Sequence, residues 1–589
     1  MAIRQRIEWD GNKMYGYVDI CNKGTSGDCL PEAKEALVFL VTAINGAFKI
    51  PVGYFLVAGV TGEQRSSLIK QCLELLEETG IEVTSLTFDG CPANISMAKE
   101  LGCSLDTANM KTYFFHPLTN KPIYIFLDPC HMLKLVRNAF EAYDTFVDDL
   151  NRNIKWGYLK HLNHIQEKEK LHFANKLRRG HIMFKNQKMK VRLASQLFSD
   201  SVADALMFCA NRNMPGFQGV DGTVNFLKNI NNLFDILNSR NMMQLKFKKP
   251  LFPGNKLLTF EFLDRVETYL NSLKLPDGLK LVQSNRKTGF IGFLVCIRSI
   301  KQIYIQLVEQ EQKLQYLPAY KISQDHIELM FGHIRVHGGC NTNPTARQFQ
   351  AIYKKLLVKS ELRDIDTGNC TSLEEISFLT CSSAVQHINI TIEPRNINEN
   401  AEDDINQLYE QALFDEEVNI LVQDLSEFSS QAISYIAGFV VHSLVKTLKC
   451  ETCAGAILAE NFEESHNFIK YKDKGGLMYP SHDVIVICKR METIIKTTCL
   501  TNNKLTISTK NIKQQLICKA LPHFIGLNLF DQIKFHQFEQ SPINNHVILL
   551  IKAIMEKYLS LRIHYLTKNA TPKISKRQVL LKYLHFSGQ

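Results

Sequence analysis

Three aspartates in this 589-residue chain stand where apolar, strand-like runs end: Asp19 after residues 15–18, Asp89 after residues 83–88 and Asp128 after residues 123–127. Carboxylates at the ends of neighbouring strands are hard oxygen donors. Converging, they can share two Mg²⁺ ions about 4 Å apart that activate an attacking oxygen and stabilise a leaving one. Side-by-side first and fourth strands would bring Asp19 and Asp89 together. A third acid from a later helix would complete the set, and Glu328 in SQDHIELMFGHIR (323–335) is the candidate, with Asp128 in reserve. A strand-terminal Asp is also an ordinary turn or cap residue, and Asp89-Gly90 and Asp128-Pro129 fit that reading as well. The ordered set of three acids, more than any single one, carries the metal reading.

Other reactive residue types say less. Cys130-His131 invites a thiol-nucleophile reading, but sequence neighbours diverge on a strand or turn and no oxyanion element accompanies them, so a structural pair beneath the sheet is expected. Cys450-x-x-Cys453 has zinc-ligand spacing, with His466 or His482 as available partners, although no second such pair follows and buried helix cysteines are the plainer reading. Sixteen irregularly spaced cysteines do not form a disulfide framework, which fits a reducing compartment. The sequons at Asn94, Asn369 and Asn389 carry little weight without a leader.

The elements that must position these residues follow from the hydrophobic pattern. Strand candidates at 15–20, 36–44 and 49–57 come in succession; an amphipathic helix follows at 63–79, with Leu68, Cys72, Leu75 and Leu76 on one face and Gly80 as its stop. A strand at 83–89, a polar connection, a strand at 121–128 and a helix at 131–143 follow. That order predicts an α/β protein with an RNase H-like core, an antiparallel meander followed by shorter parallel strands. A mainly helical, basic stretch then interrupts it. The expected organisation is an RNase H-like N-terminal part at 1–135, an insertion domain at 136–316, the RNase H-like C-terminal part at 317–365, an acidic linker at 366–425 and a C-terminal helical domain at 426–589.

Length allows about three to four domains of ordinary size. The net charge of +10 is unevenly spread: residues 393–417 carry −8, which leaves +18 on the remainder. Residues 155–192 hold eleven Lys/Arg against Glu167 and Glu169 and would attract a polyanion such as nucleic acid or nucleotide phosphate, or form a solvated helix face. The most apolar stretch, 36–60, is interrupted by Asn45, Lys49 and Pro51, so no membrane partner is expected.

The strings MAIRQRIEWDG (1–11), GYVDI (16–20), IPVGYFLV (50–57), LTFDG (86–90), LDPCHMLKLVRNAF (127–140), RKTGFIGFL (286–294) and SQDHIELMFGHIR (323–335) resemble the P element transposase family, including its THAP-domain-containing animal relatives. The resemblance implies a nuclear cut-and-paste DNA transposase whose RNase H-like domain is interrupted by a GTP-binding insertion domain. It places Asp19, Asp89 and Glu328 on the family's catalytic, metal-holding acids. It implies GTP as a bound cofactor: Lys176, Lys190 and the Val191 backbone would meet phosphate or sugar, Asp235 the N1–H and N2–H₂ donors of guanine, and Asp325 would join that site to the catalytic helix. No G-x-x-x-x-G-K-[ST] loop occurs, so hydrolysis is not implied.

Members of that family usually open with a zinc-coordinating THAP domain and a coiled-coil dimerisation segment, and neither is found here; Met1 falls inside what is normally an early strand. The chain therefore resembles a truncated copy that contacts DNA ends and target chiefly through phosphates. Self-association is expected. The alternatives are a domesticated, non-catalytic regulator that binds DNA or transposase subunits, and a guanine-nucleotide-binding protein with an RNase H-like scaffold.

Overall fold

The computed structural model describes residues 1–11, 13–20, 30–174, 176–337, 343–358, 361–362, 376–377, 425–501, 504–506, 509, 511–524, 527–533 and 546–570. They fall into two compact units, one built from Met1–His161 and Lys176–His387, the other from Leu162–Asn175 and Ile388–Gln589. The expected acidic linker lies almost wholly outside the described residues, as does the Gly-Gly-Cys-Asn turn at 338–341.

The first unit begins β1 (Glu8–Trp9), β2 (Met14–Tyr15), β3 (Glu35–Thr42), β4 (Lys49–Val57), α1 (Gly62–Glu78), β5 (Ser85–Phe88), α2 (Pro92–Glu100), β6 (Tyr113–Phe115), β7 (Pro122–Leu127) and α3 (Pro129–Tyr143). Then come β8 (Thr145–Val147), β9 (Asn153–Lys155), α4 (Trp156–Glu169), α5 (Arg179–Ile182), α6 (Val191–Leu197), α7 (Asp200–Asn211), α8 (Asp221–Leu237), α9 (Lys256–Ser272), α10 (Thr288–Tyr304), α11 (Asp325–His337) and α12 (Ala346–Val358).

β3 and β4 pair antiparallel, Ala36 opposite Leu56. β5 runs parallel to β7, Phe88 opposite Leu127, and β6 lies antiparallel on the other side of β7. The strand expected at 15–20 is not continuous. Gly16 has φ 109°, where a Cβ would stand 2.2 Å from the Arg6 carbonyl oxygen, so the chain turns there after β2. The place beside β3 is taken by the first residues of the chain: the Ala36 N–H donates to Met1 O (2.8 Å), the Met1 amine to Ala36 O (2.8 Å) and the Ile3 N–H to Lys34 O (2.9 Å). On the far side of β4, Asp19 and Leu56 exchange both backbone bonds, at 2.8 and 3.1 Å. The row across this layer therefore reads Met1, Ala36, Leu56, Asp19.

α1 starts at a reciprocal cap in which Thr61 Oγ1 accepts from the Gln64 N–H and Gln64 Oε1 from the Thr61 N–H. Its buried residues are Leu68, Ile69, Leu73 and Leu76, whereas Leu75, expected on that face, is 63% exposed. α11 and α12 pack under β3 and β4 through Met330, Ile334, Phe349 and Tyr353, which join Ile3, Ala36, Val38 and Leu56 in one core. That burial holds the helix carrying Glu328 against the sheet.

α10 falls within the stretch expected as the insertion domain, yet it covers β7 and α3. Its Ser299 hydroxyl donates to Ile125 O (2.7 Å) and its Cys296 thiol to Leu127 O (3.0 Å). Gly292 makes the close approach possible, because a Cβ there would come within 2.1 Å of Met132 Sδ. In the inserted part, Phe140 packs edge-on against Trp156 and Phe226, each at 5.3 Å, and all three rings are fully buried.

The second unit is helical: α13 (Glu427–Val445), α14 (Glu451–Ala456), α15 (Asn467–Lys472), α16 (His482–Cys499), α17 (Ile512–Ala520) and α18 (His546–Ala570). Phe173 packs on Phe428 and Phe468 at 3.9 and 4.2 Å. A buried Glu492 on α16 accepts from Arg562 Nε (2.7 Å) and Nη2 (2.5 Å) and from the Tyr558 hydroxyl (2.8 Å), so α16 and α18 share a satisfied ion pair.

Candidate active site and nucleotide-binding region

Parallel pairing of β5 and β7 brings Asp89 and Asp128, the residues that follow their last positions, to one end of the sheet. Their surroundings make them different groups. Asp89 is half-buried; its Oδ1 accepts from the Cys91 N–H (3.0 Å) and from Asn94 Nδ2 (2.8 Å), and Arg65 Nη1 donates to Asn94 Oδ1 (2.6 Å) behind it. These bonds fix the carboxylate through one oxygen and leave Oδ2 for another partner.

Asp128 is buried and caps α3. Its Oδ2 accepts from the His131 N–H (2.9 Å) and its Oδ1 from the Gln324 N–H (3.2 Å) just ahead of α11. Burial first, and then the neighbouring Asp325 carboxylate, push its pKa up to about 7. Asp128, Cys130 and Asp325 bring one donor atom each to within 4.8 Å of one another. A thiol does not suit a hard cation, and both Asp128 oxygens are already taken by backbone N–H groups. The cluster is a joint between β7 and α11, and Asp128 is a positioning residue.

Glu328 lies one turn into α11, half-buried, and its carboxylate makes no hydrogen bond or ion pair among the described residues. The bond from the Gln324 N–H to Asp128 Oδ1 brings the start of α11, which carries Glu328, to the end of the sheet where β5 and β7 stop and Asp89 follows. Two partly exposed carboxylates with oxygens unspent suit a hard divalent cation. Asp19 does not join them: it is exposed, on the opposite edge of the row that starts at Met1, three strand spacings or about 14 Å away. Residues 1–4, and not 15–20, occupy the strand position beside β3, so Asp19 stands on the outer side of β4.

The residues expected to meet a nucleotide lie around α6, α8 and α11. Lys176 is exposed. Lys190 is an exposed cap residue of α6, bonded through Nζ to Gln187 Oε1 (3.1 Å), with Val191 first in that helix. Arg137, buried in α3, holds the loop before it by donating to Lys188 O (2.7 Å) and stacks 4.0 Å over Phe184. Asp235 is half-buried on α8, which packs, like α6, against α3. Beyond α8, Arg240 puts Nη2 3.8 Å from Asp325 Oδ2 and its guanidinium 5.0 Å over Tyr320. Asp325 is thereby joined to the end of Asp235's helix. Sequence reading missed Arg240, and with it Arg65 and Asn94; only the position of Asn94 shortly after the Asp89 turn gave a signal.

Four domain families match the chain: TNP-like, RNase H N-terminal domain over residues 1–102; TNP-like, GTP-binding insertion domain over 130–250; TNP-like, RNase H C-terminal domain over 320–354; and DNA transposase THAP9, C-terminal domain over 424–568. The chain is 29% identical over 592 residues to the human DNA transposase THAP9, covering 98% of this chain and 64% of that protein. It is 24% identical over 511 residues to the transposable element P transposase of Drosophila melanogaster, covering 84% of this chain and 61% of that one. It therefore spans less than two thirds of either relative. Among solved structures, the Drosophila P element transposase strand transfer complex superposes with a TM-score of 0.51 at 24% identity, over 60% of this chain and 74% of that chain, a likeness of fold.

Proposed function

Because the chain belongs to the P element-like transposase family, we propose that it is a DNA transposase acting in the nucleus, cleaving DNA and joining a 3′ end to target DNA with GTP bound in the insertion domain. The observation that carries this reading is the convergence of Asp89, after the last residue of β5, and the start of α11, which carries Glu328 and is bonded to Asp128 at that sheet end. Asp89 and Glu328 would hold Mg²⁺, which when bound lowers the pKa of an attacking oxygen and neutralises charge on the phosphate. The chain's own residues supply the positioning. Cys91, Asn94 and Arg65 fix Asp89, and the Asp128 bond to the Gln324 N–H seats the start of α11, which carries Glu328, at the same end of the sheet. Water, and then the freed DNA 3′-hydroxyl, would attack phosphorus in line, each attack expelling the 3′-oxygen of the strand attacked so that one P–O bond breaks as one forms.

GTP would be read by Asp235, since only guanine offers an N1–H and N2–H₂ pair to a carboxylate, with Lys190 and Lys176 near its phosphates. Arg240 and Asp325 would pass occupancy of that site to α11. A second reading, a regulator that binds DNA without cutting it, is favoured by the place of Asp19 on the outer side of β4. Strand transfer of a pre-cleaved transposon-end duplex into plasmid, with Mg²⁺ and GTP, separates them. Product that vanishes in Glu328→Gln supports the transposase. DNA binding without product from the folded chain supports the regulator and sinks the first reading.

A further inference from the structure

Cys450 caps α14 and Cys453 lies one turn inside it, a spacing that puts both thiols on one side of the helix start. The partner that completes the group comes from 93 residues away: Cys453 Sγ stands 3.3 Å from Nδ1 of His546, the first residue of α18. The three donor atoms of Cys450, Cys453 and His546 all lie within 4.8 Å of one another. A tetrahedral zinc ion with Zn–S near 2.3 Å and Zn–N near 2.05 Å has S···N edges of about 3.5 Å and an S···S edge of about 3.8 Å. The 3.3 Å between Cys453 Sγ and His546 Nδ1 is close to the S···N edge, and the other two pairs lie within 4.8 Å.

The two histidines that spacing alone would favour are committed elsewhere. His466 faces Pro480 O through Nε2 (2.8 Å) and accepts the Glu463 N–H at Nδ1 (3.0 Å), and His482 Nδ1 meets Glu463 Oε2 (3.1 Å). Neither cysteine is in a disulfide among the described residues. Cys453 is buried and Cys450 and His546 are half-buried, so a cation has a way in and is shielded once bound.

We propose that Cys450, Cys453 and His546 form a zinc site in the C-terminal helical unit, with the fourth corner taken by water or an exogenous donor. Two thiolates and an imidazole are the donors zinc prefers over hard cations. Binding releases the two thiol protons to solvent and ties the start of α18 to α14. The site is distinct in donor chemistry from the carboxylates that would take Mg²⁺, and it stands whether or not the chain cuts DNA.

The test uses the full chain, reduced and stripped of metal, titrated with Co²⁺ and then Zn²⁺. One equivalent of Co²⁺ should give thiolate-to-cobalt charge-transfer absorption and tetrahedral d–d bands, both displaced by one equivalent of Zn²⁺. Cys450→Ser, Cys453→Ser and His546→Ala should each lower zinc affinity at least tenfold, while His466→Ala and His482→Ala leave it unchanged. His546→Cys keeps a third donor and should retain the ion with stronger charge-transfer absorption, which separates lost ligation from lost folding. No tetrahedral cobalt spectrum from the folded chain, or full affinity in His546→Ala, would overturn the proposal.

Discussion

Arg240, just past α8, and Asp325, first in α11, meet at 3.8 Å with both side chains largely shielded from solvent. Because Glu328 sits one turn beyond Asp325, this contact ties the end of the helix carrying Asp235 to the helix carrying Glu328. Arg240→Ala should destabilise the first unit by about 1–3 kcal/mol, since it removes a ring stack and leaves Asp325 beside Asp128 without its counter-charge. Arg240→Lys should recover only part, as an ammonium restores charge but not the planar contact with Tyr320. Denaturant titration of the three proteins checks the order; equal stability of Arg240→Ala and the parent would refute it.

The joint between Asp128 and Asp325 titrates. An unfolded Asp loses its proton near pH 3.9 and folded Asp128 only near 7, so between those values the folded state holds a proton that the unfolded state has released. Stability should therefore fall as pH rises from about 4 to 7 and level off above, by at most roughly 4 kcal/mol for this group. Asp128→Asn mimics the protonated form and still caps α3, so its profile should be flatter across that window. Thermal melts from pH 4 to 8 decide it, and parallel slopes for the two proteins would contradict the assignment.

Nucleotide selectivity follows from one carboxylate. If Asp235 accepts the guanine donor pair, Asp235→Ala should weaken GTP by about ten- to a hundredfold, the range for a charge-assisted hydrogen bond, and leave ATP affinity where it was. Calorimetric titration with each nucleotide is sufficient. Equal losses for both would remove the base-reading role.

Gly292→Ala should cost about 1–3 kcal/mol by overpacking against Met132, a contact under the sheet end that carries Asp89. Trimming the opposing side chain in Met132→Ala/Gly292→Ala should return part of that loss. A double mutant whose destabilisation equals the sum of the two single ones would show that the residues do not meet.

Much of this arrangement was legible because local chemistry set it. Asp89 and Asp128 end apolar runs, Leu68 and Leu76 mark the buried face of a helix that Gly80 stops, and Glu328 falls in the later helix expected to carry it. What failed was adjacency between distant segments. Residues 15–20 alternate like a strand, yet Gly16 turns them aside and Asp19 pairs with Leu56 on the outer edge, while residues 1–4, too short to give a pattern, take the inner place. Leu75 shows the same limit within one helix: its spacing fits the apolar face but the sheet does not reach it. His546 was illegible as a partner of Cys450 and Cys453, because nothing in spacing ranks it above the nearer His466 and His482.

The central claim is that Asp89 and Glu328, and not Asp19, make the divalent-cation site. Mn²⁺ binding to the folded chain, followed by electron paramagnetic resonance after one equivalent of Zn²⁺ has filled the thiol site, tests it most directly. Asp89→Asn and Glu328→Gln should each weaken Mn²⁺ by at least tenfold, and Asp19→Asn should leave it within twofold of the parent. Loss of Mn²⁺ in Asp19→Asn, or its undiminished binding in Glu328→Gln, would contradict the account.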